Sequence, residues 1–276
     1  MSTIHTFWLP KHGSADSEYE DAHASRIAAD GRGRPVIRAA VADGATEASF
    51  AGIWARLLAA AFVDGELRAA VDPTDDDARL YTDKLDPDAL PAIAARWTAA
   101  IDAQTAIQPL AWYAEEKLRD GSFAALIGVV VQPDGTWRAR AAGDCCVLHV
   151  RAGKLLQSFP ITRAEDFDNR PALLSTLPAR NHSVTIPACV GTWRKGDTLL
   201  LMSDALAQFA LQHPDALPKL IKLKPEAFAP MIARLRAEKL CRNDDMTLIR
   251  LRLDGAPVDT KASSSVSAPA PSDDQP

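Results

Sequence analysis

The sequence predicts an α+β fold in which antiparallel sheets carry helices on their outer sides. Three observations lead there. Several apolar runs are joined by turn signals, so hairpins outnumber strand–helix–strand units. Four other stretches repeat apolar residues at helical spacing. One run, DTLLLMS at Asp197–Ser203, is nearly all apolar, as a central buried strand should be. With 276 residues, 47% hydrophobic and 24% charged, the chain is long and apolar enough to bury a large core.

PVIRAAVA (Pro35–Ala42) is read as the first strand, β-branched at its start. Thr46–Val63 is a helix, with Phe50, Ile53, Trp54, Leu57, Leu58, Ala61 and Phe62 on one stripe and Asp64-Gly65 as its stop. The acid-rich segment Val63–Asp88, with Asp75, Asp76 and Asp77, reads as a solvated loop. Leu90, Ile93, Ala94, Trp97 and Ile101 mark a second helix behind an Asp88 N-cap, and Trp112–Leu118 a third. FAALIGVVV (Phe123–Val131) and TWRARAA form a hairpin across Gln132-Pro133-Asp134-Gly135. CVLHVRAGKLL forms another around Ala152-Gly153. Phe159–Pro187 is too long for an ordinary connection and reads as a lid or accessory element. Phe228, Met231, Ile232 and Leu235 mark a fourth helix. MTLIRLRL (Met246–Leu253) alternates, with Ile249, Leu251 and Leu253 on one face and Arg250 and Arg252 on the other. Residues 1–254 read as one folded unit and 255–276 as a disordered Ser/Ala/Pro-rich tail.

A net charge of −5 argues against nucleic-acid or anionic-membrane partners. The sequence has no apolar run of about 18 residues, and MSTIHTFWLPKHG lacks the pattern of a secretory leader, so a cytoplasmic location is expected. Cys145, Cys146, Cys189 and Cys241 form no CxxC pair and read as small buried residues of a reducing compartment.

Acids recur at strand ends. Glu20 and Asp21 precede the first strand, Asp43 follows VIRAAVA, Asp204 follows TLLLMS, and Asp244 and Asp245 precede MTLIRLRL. Each alone is an ordinary turn or cap former. If the strands are neighbours, their ends converge, and carboxylates brought together repel unless cations neutralise them. Oxygen donors without His or Cys suit Mg²⁺ or Mn²⁺, and a pair of such ions commonly drives phosphoester hydrolysis.

The same residues resemble the metal-dependent protein phosphatases of the 2C family, bacterial type. YEDAH (Tyr19–His23), AVADGAT (Ala40–Thr46), GSFAALIGVVV, AAGDCCVLHVRAGKL (Ala141–Leu155), GDTLLLMSDAL (Gly196–Leu206) and RNDDMTLIRL (Arg242–Leu251) look like that family's motifs, in order. The resemblance implies a central β-sandwich with helices on both outer faces. It implies two Mg²⁺ or Mn²⁺ ions at one end of the sandwich. Asp43 would bridge both ions, with the Gly44 carbonyl, Glu20 and Asp21 completing one shell and Asp204 and Asp244 holding the other ion. Asp144 would be structural. The implied reaction is hydrolysis of phosphoserine or phosphothreonine in a protein by a water bridging the two ions, opposing a Ser/Thr kinase. Residues 159–187 correspond to the family's variable flap.

Some positions depart from the pattern. Ala45 stands where the family often has His, Asp16 and Ser17 where many members have a phosphate-binding Arg, Ala205 for the Gly of Ser-Asp-Gly, and Asp245 for Asn. Lys11 is the nearest upstream cation and the candidate phosphate contact. The missing His and Arg motivate one alternative, a catalytically silent phosphatase-like interaction module; a hydrolase of a small phosphorylated metabolite is a further one.

Overall fold

Alternation along the strands sets the layering, because successive side chains point to opposite faces. The computed structural model describes residues 2–67, 88–168 and 170–255. In β3 (Pro35–Gly44), Ile37, Ala39 and Val41 turn toward a second sheet, while Ala40 and Ala42 turn toward helices. In β4 (Phe123–Val131), Ala125, Ile127 and Val129 face inward, and Ala124 and Leu126 face the helices. Both faces of these strands are covered, so both are apolar.

One sheet runs in the order β2 (Ala22–Ala29), β3, β4, β5 (Thr136–Ala142), β9 (Ala188–Thr192), with the short β8 (Leu174–Ser175) paired to the start of β4. The other runs β1 (Thr3–Leu9), β11 (Met246–Leu253), β10 (Asp197–Met202), β6 (Cys146–Arg151), β7 (Lys154–Phe159). Every pairing is antiparallel. Leu199, Leu201, Ile249 and Leu251 meet Ile37, Val41 and Ile127 between the sheets. Helices α1 (Ala51–Asp64) and α2 (Ala89–Ile107) cover the first sheet, burying Trp54, Leu58, Ile93 and Trp97. Helices α4 (Asp204–Gln212), α5 (Leu217–Ile221) and α6 (Pro225–Ala237) cover the second, burying Leu206, Phe209, Leu220 and Ile232. A further short helix, α3 (Trp112–Arg119), precedes β4. The result is the expected sandwich with helices on both outer faces.

Most anticipated elements are present. Helix α1 ends where expected, with Gly65 in the left-handed region at φ 80° as its C-cap. Asp88 stands at the N-cap of α2. Three differences have physical reasons. The strands β1 and β2 carry mixed, half-exposed patterns as the outer strands of their sheets, so their apolar signal is weak. Arg250 does not face solvent: it is 7% exposed, because α5 lies over it and the carbonyls of Leu220 and Leu223 accept its guanidinium at 3.3 and 2.7 Å. The 159–187 segment is anchored, since Leu174 is fully buried in the core under α1 and its carbonyl accepts the Trp54 indole N–H at 2.8 Å. All four cysteines are free, with Cys145 and Cys146 buried. Among the described residues no helix is long and apolar enough to cross a membrane. The expected tail at 255–276 lies, from residue 256 on, outside the described residues, as does the Asp75–Asp77 loop.

Candidate metal centre

Antiparallel order brings the acids to one end. Residue Ala22 pairs with Ala42, so the acids just before β2 and at the end of β3 are neighbours. Met202 pairs with Leu248, so Asp204 beyond β10 lies beside Asp244 before β11. Asp144 precedes β6, which pairs with β10.

The charges there act on one another. Burial first, and then Asp21, Asp204, Asp144 and Asp244, push the Asp43 carboxyl well above the usual carboxylate range. Burial, with Asp245 and Asp204, carries Asp21 up to about 8, against the hydroxyls of Thr247 and Ser203. Asp144 is raised to about 7 by burial and then Asp204, and Asp244 is raised by the same two causes. Asp144, expected to be a structural turn residue, therefore shares the field of the acidic cluster.

Individual contacts differ. Asp21 is 1% exposed; its Oδ2 accepts the Thr247 hydroxyl at 2.6 Å, and its Oδ1 is buried with no hydrogen-bond partner. Asp204 opens α4, where the helix N-terminus favours a negative charge. Its Oδ1 accepts the Ala205 amide, and its Oδ2 is bound by the Arg242 guanidinium. Glu20 turns to the edge of the cluster, toward Thr46 and Lys11, whose Nζ lies 3.6 Å from its Oε2. Lys11 is thus an ion-pair partner of a predicted site residue. Gly44 is packed so closely that an added Cβ would lie 2.8 Å from the Glu20 carbonyl oxygen and from the Ala51 backbone.

The sequence named Asp245 only as a strand-end acid, and it did not show what Asp245, Arg236 and Arg242 bind. Asp245 Oδ1 accepts the Lys11 amide at 2.8 Å and Oδ2 accepts the Glu20 amide at 2.7 Å. Arg236 Nη2 donates to the carbonyls of Pro10 at 3.1 Å and Asp244 at 2.6 Å. These bonds hold the loop between β1 and β2 against the start of β11. A cleft of about 430 Å³ opens beside Glu20, lined by Lys11, Thr46 and Arg56. Only the adjacency of Asp245 to Asp244 hinted at any of this; Arg236 and Arg242 carry no local signal.

The donors fit a hard divalent cation in kind: they are carboxylate oxygens, one buried oxygen of Asp21 is unsatisfied, and the Gly44 backbone is bare of side chain. They are not closed into a cage. Among the described residues no three His, Cys, Asp or Glu side chains are arranged to hold a metal ion. Two of the expected donors are instead taken up by cationic side chains, Asp204 by Arg242 and Glu20 by Lys11.

Residues 10–248 match the family pattern described as Protein phosphatase 2C. This chain belongs to the protein phosphatase 2C family. Solved structures agree on the fold. A bacterial serine phosphatase is 14% identical with a TM-score of 0.59, covering 94% of this chain and 100% of that one. The serine/threonine phosphatase Stp1 from Staphylococcus aureus is also 14% identical at 0.59, covering 92% and 96%. The catalytic domain of the serine threonine protein phosphatase PstP, solved in complex with two manganese ions, is 18% identical at 0.50, covering 91% and 99%. A search of curated proteins found no match in sequence.

Proposed function

We propose that this 2C-family chain is a Mg²⁺- or Mn²⁺-dependent phosphatase acting on phosphoserine and phosphothreonine in proteins, opposing a Ser/Thr kinase. The observation that carries the reading is the mutual field of buried Asp21 and Asp144 and half-buried Asp43 and Asp244, with an unsatisfied Asp21 oxygen. Carboxylates gathered at such cost call for a cation. Asp43, Asp21, Glu20 and the Gly44 carbonyl would hold one ion, and Asp43, Asp204 and Asp244 a second. Ions bound there lower the pKa of a coordinated water and offset charge on phosphoryl oxygens.

The protein's own groups supply the rest. Asp245 and Arg236 fix the loop that carries Glu20, so its carboxylate is held at the mouth of the cluster. Lys11 and Arg56 give the adjoining cleft two cations with which to draw a phosphate toward the acids. Thr247 fixes the orientation of Asp21 by donating to its Oδ2, and Ser203 holds Thr247 by accepting its amide.

The purified protein is expected to hydrolyse p-nitrophenyl phosphate and a phosphothreonine peptide with Mn²⁺, and EDTA or Asp43→Asn is expected to abolish both reactions. Turnover that persists without metal would reject the proposal. The Arg242–Asp204 and Lys11–Glu20 pairs favour one other reading, a silent interaction module whose acids are neutralised from within. Calorimetry with Mn²⁺ separates the two, because a silent module shows no saturable binding that depends on Asp43.

A further inference from the structure

A second cavity, of about 720 Å³, opens on the helix-covered face of the β1–β11–β10–β6–β7 sheet. Thr198 and Arg252 line it, and both stand at the ends of β10 and β11 far from the acids. Asp204 lies six positions beyond Thr198, so the two places are roughly 20 Å apart at about 3.3 Å per residue. The cavity is independent of the acidic end.

Its lining is cationic in a chain of net charge −5. Lys222, Lys224, Arg250 and Arg252 all contribute. Arg252 is paired with Asp254 at 2.9 Å. Among the described residues, no carboxylate lies within ion-pair distance of Lys222, Lys224 or Arg250. Arg250 is the telling member, because it is 93% removed from solvent and, among the described residues, its charge is met by the carbonyls of Leu220 and Leu223 and the face of Phe7, 5.1 Å away. Those partners satisfy Nη1 and leave the charge without a counter-ion, which is costly for a buried guanidinium. A planar guanidinium matches phosphate oxygens two at a time, and flanking lysines add point charge.

Apart from His5 and Thr198, the rest of the wall is apolar or bare backbone. Val150, Pro218 and Ile221 line it, and the β6–β7 turn borders it where Gly153 lies beside Pro218. Both the volume and the mixture of apolar wall with a few convergent polar groups are those of small-molecule sites. We infer that this cavity binds a small phosphorylated organic molecule, its phosphate against Arg250, Lys222 and Lys224 and its organic part against Val150, Pro218 and Ile221.

Calorimetry of the full chain in EDTA tests this, with ADP as the probe and inorganic phosphate for comparison. EDTA removes divalent metal from the acidic end, so the outcome does not depend on the proposed phosphatase reaction. ADP should bind saturably with one site, and more tightly than phosphate alone. The double variant Lys222→Glu/Lys224→Glu, changed only at exposed residues, should weaken ADP at least tenfold. Asp43→Asn and the charge-matched surface variant Lys117→Glu/Arg119→Glu should bind as the unaltered chain does. Three results would overturn the inference: no saturable ADP binding, equal loss in both charge-reversed variants, or loss in Asp43→Asn.

Discussion

The two carboxylate oxygens of Asp245 each accept one backbone amide, from Lys11 and from Glu20, and so tie together residues more than 220 positions apart in sequence. Asp245→Ala removes both acceptors and leaves two amides without them, costing about 3 kcal/mol. The expected fall in Tm is about 6–12 °C for a chain of this size. Thermal melting checks it, and Asp245→Asn, which keeps one acceptor oxygen, should fall between. Arg242 acts in the opposite sense. It neutralises Asp204, and a metal using that carboxylate must displace the guanidinium. Arg242→Ala should therefore tighten Mn²⁺ binding about tenfold, equivalent to about 1.4 kcal/mol, while lowering Tm in EDTA. Calorimetry with an unchanged or weaker affinity would show that Arg242 does not compete with metal.

At the scale of elements, the start of β10 is locked to β6 by one carboxylate. Asp197 accepts Arg151 Nε and Nη2 at 2.7 Å each, the Arg194 amide at 2.9 Å, and lies 2.9 Å from His149 Nε2. Burial alone would raise its pKa; Arg151, the Arg194 amide and His149 outweigh burial and hold it near 2. Its folded value lies below its ordinary 3.8, so it stabilises the fold fully above pH 4. That contribution is lost as pH falls from about 4 through 2. Urea unfolding between pH 2 and 5 should show the loss, and Asp197→Asn should flatten that part of the profile. The short β8 makes a different point. Leu174 is completely buried under α1, so Leu174→Ala should cost about 2–5 kcal/mol. A substitution that proved neutral in denaturant unfolding would mean the segment is only loosely docked.

For the whole molecule, the sandwich spends stability to assemble its acids, and metal binding should return it. Mn²⁺ at about 100 times its Kd adds about 2.7 kcal/mol, which corresponds to a rise in Tm of about 5–10 °C. Scanning calorimetry with Mn²⁺ and with EDTA measures the difference, and Asp43→Asn should remove most of it. One end of the β1–β11–β10–β6–β7 sheet gathers acids beyond Met202 and before Met246, while Lys222, Lys224 and Arg250 line the cavity on its helix-covered face. The modest net charge of −5 hides this separation.

Strong local periodicity made the central elements legible. Leu199–Met202, Phe123–Val131 and the Trp54–Leu58 stripe had to bury both faces or one stripe, and any fold would have to satisfy that. The motifs around Asp43, Asp144 and Asp204 also stood in the chain order of the 2C family, so the family was readable from residues alone. The pairing of strands decided what no local pattern holds. Antiparallel register set Asp21 beside Asp43 and Asp204 beside Asp244, folded Arg250 under α5, and brought Arg242 onto Asp204. A side chain's environment is fixed by residues distant in sequence, because burial and Coulomb interactions depend on separation in space. The sequence therefore determined the layers and the acids, and the tertiary structure decided which charges meet.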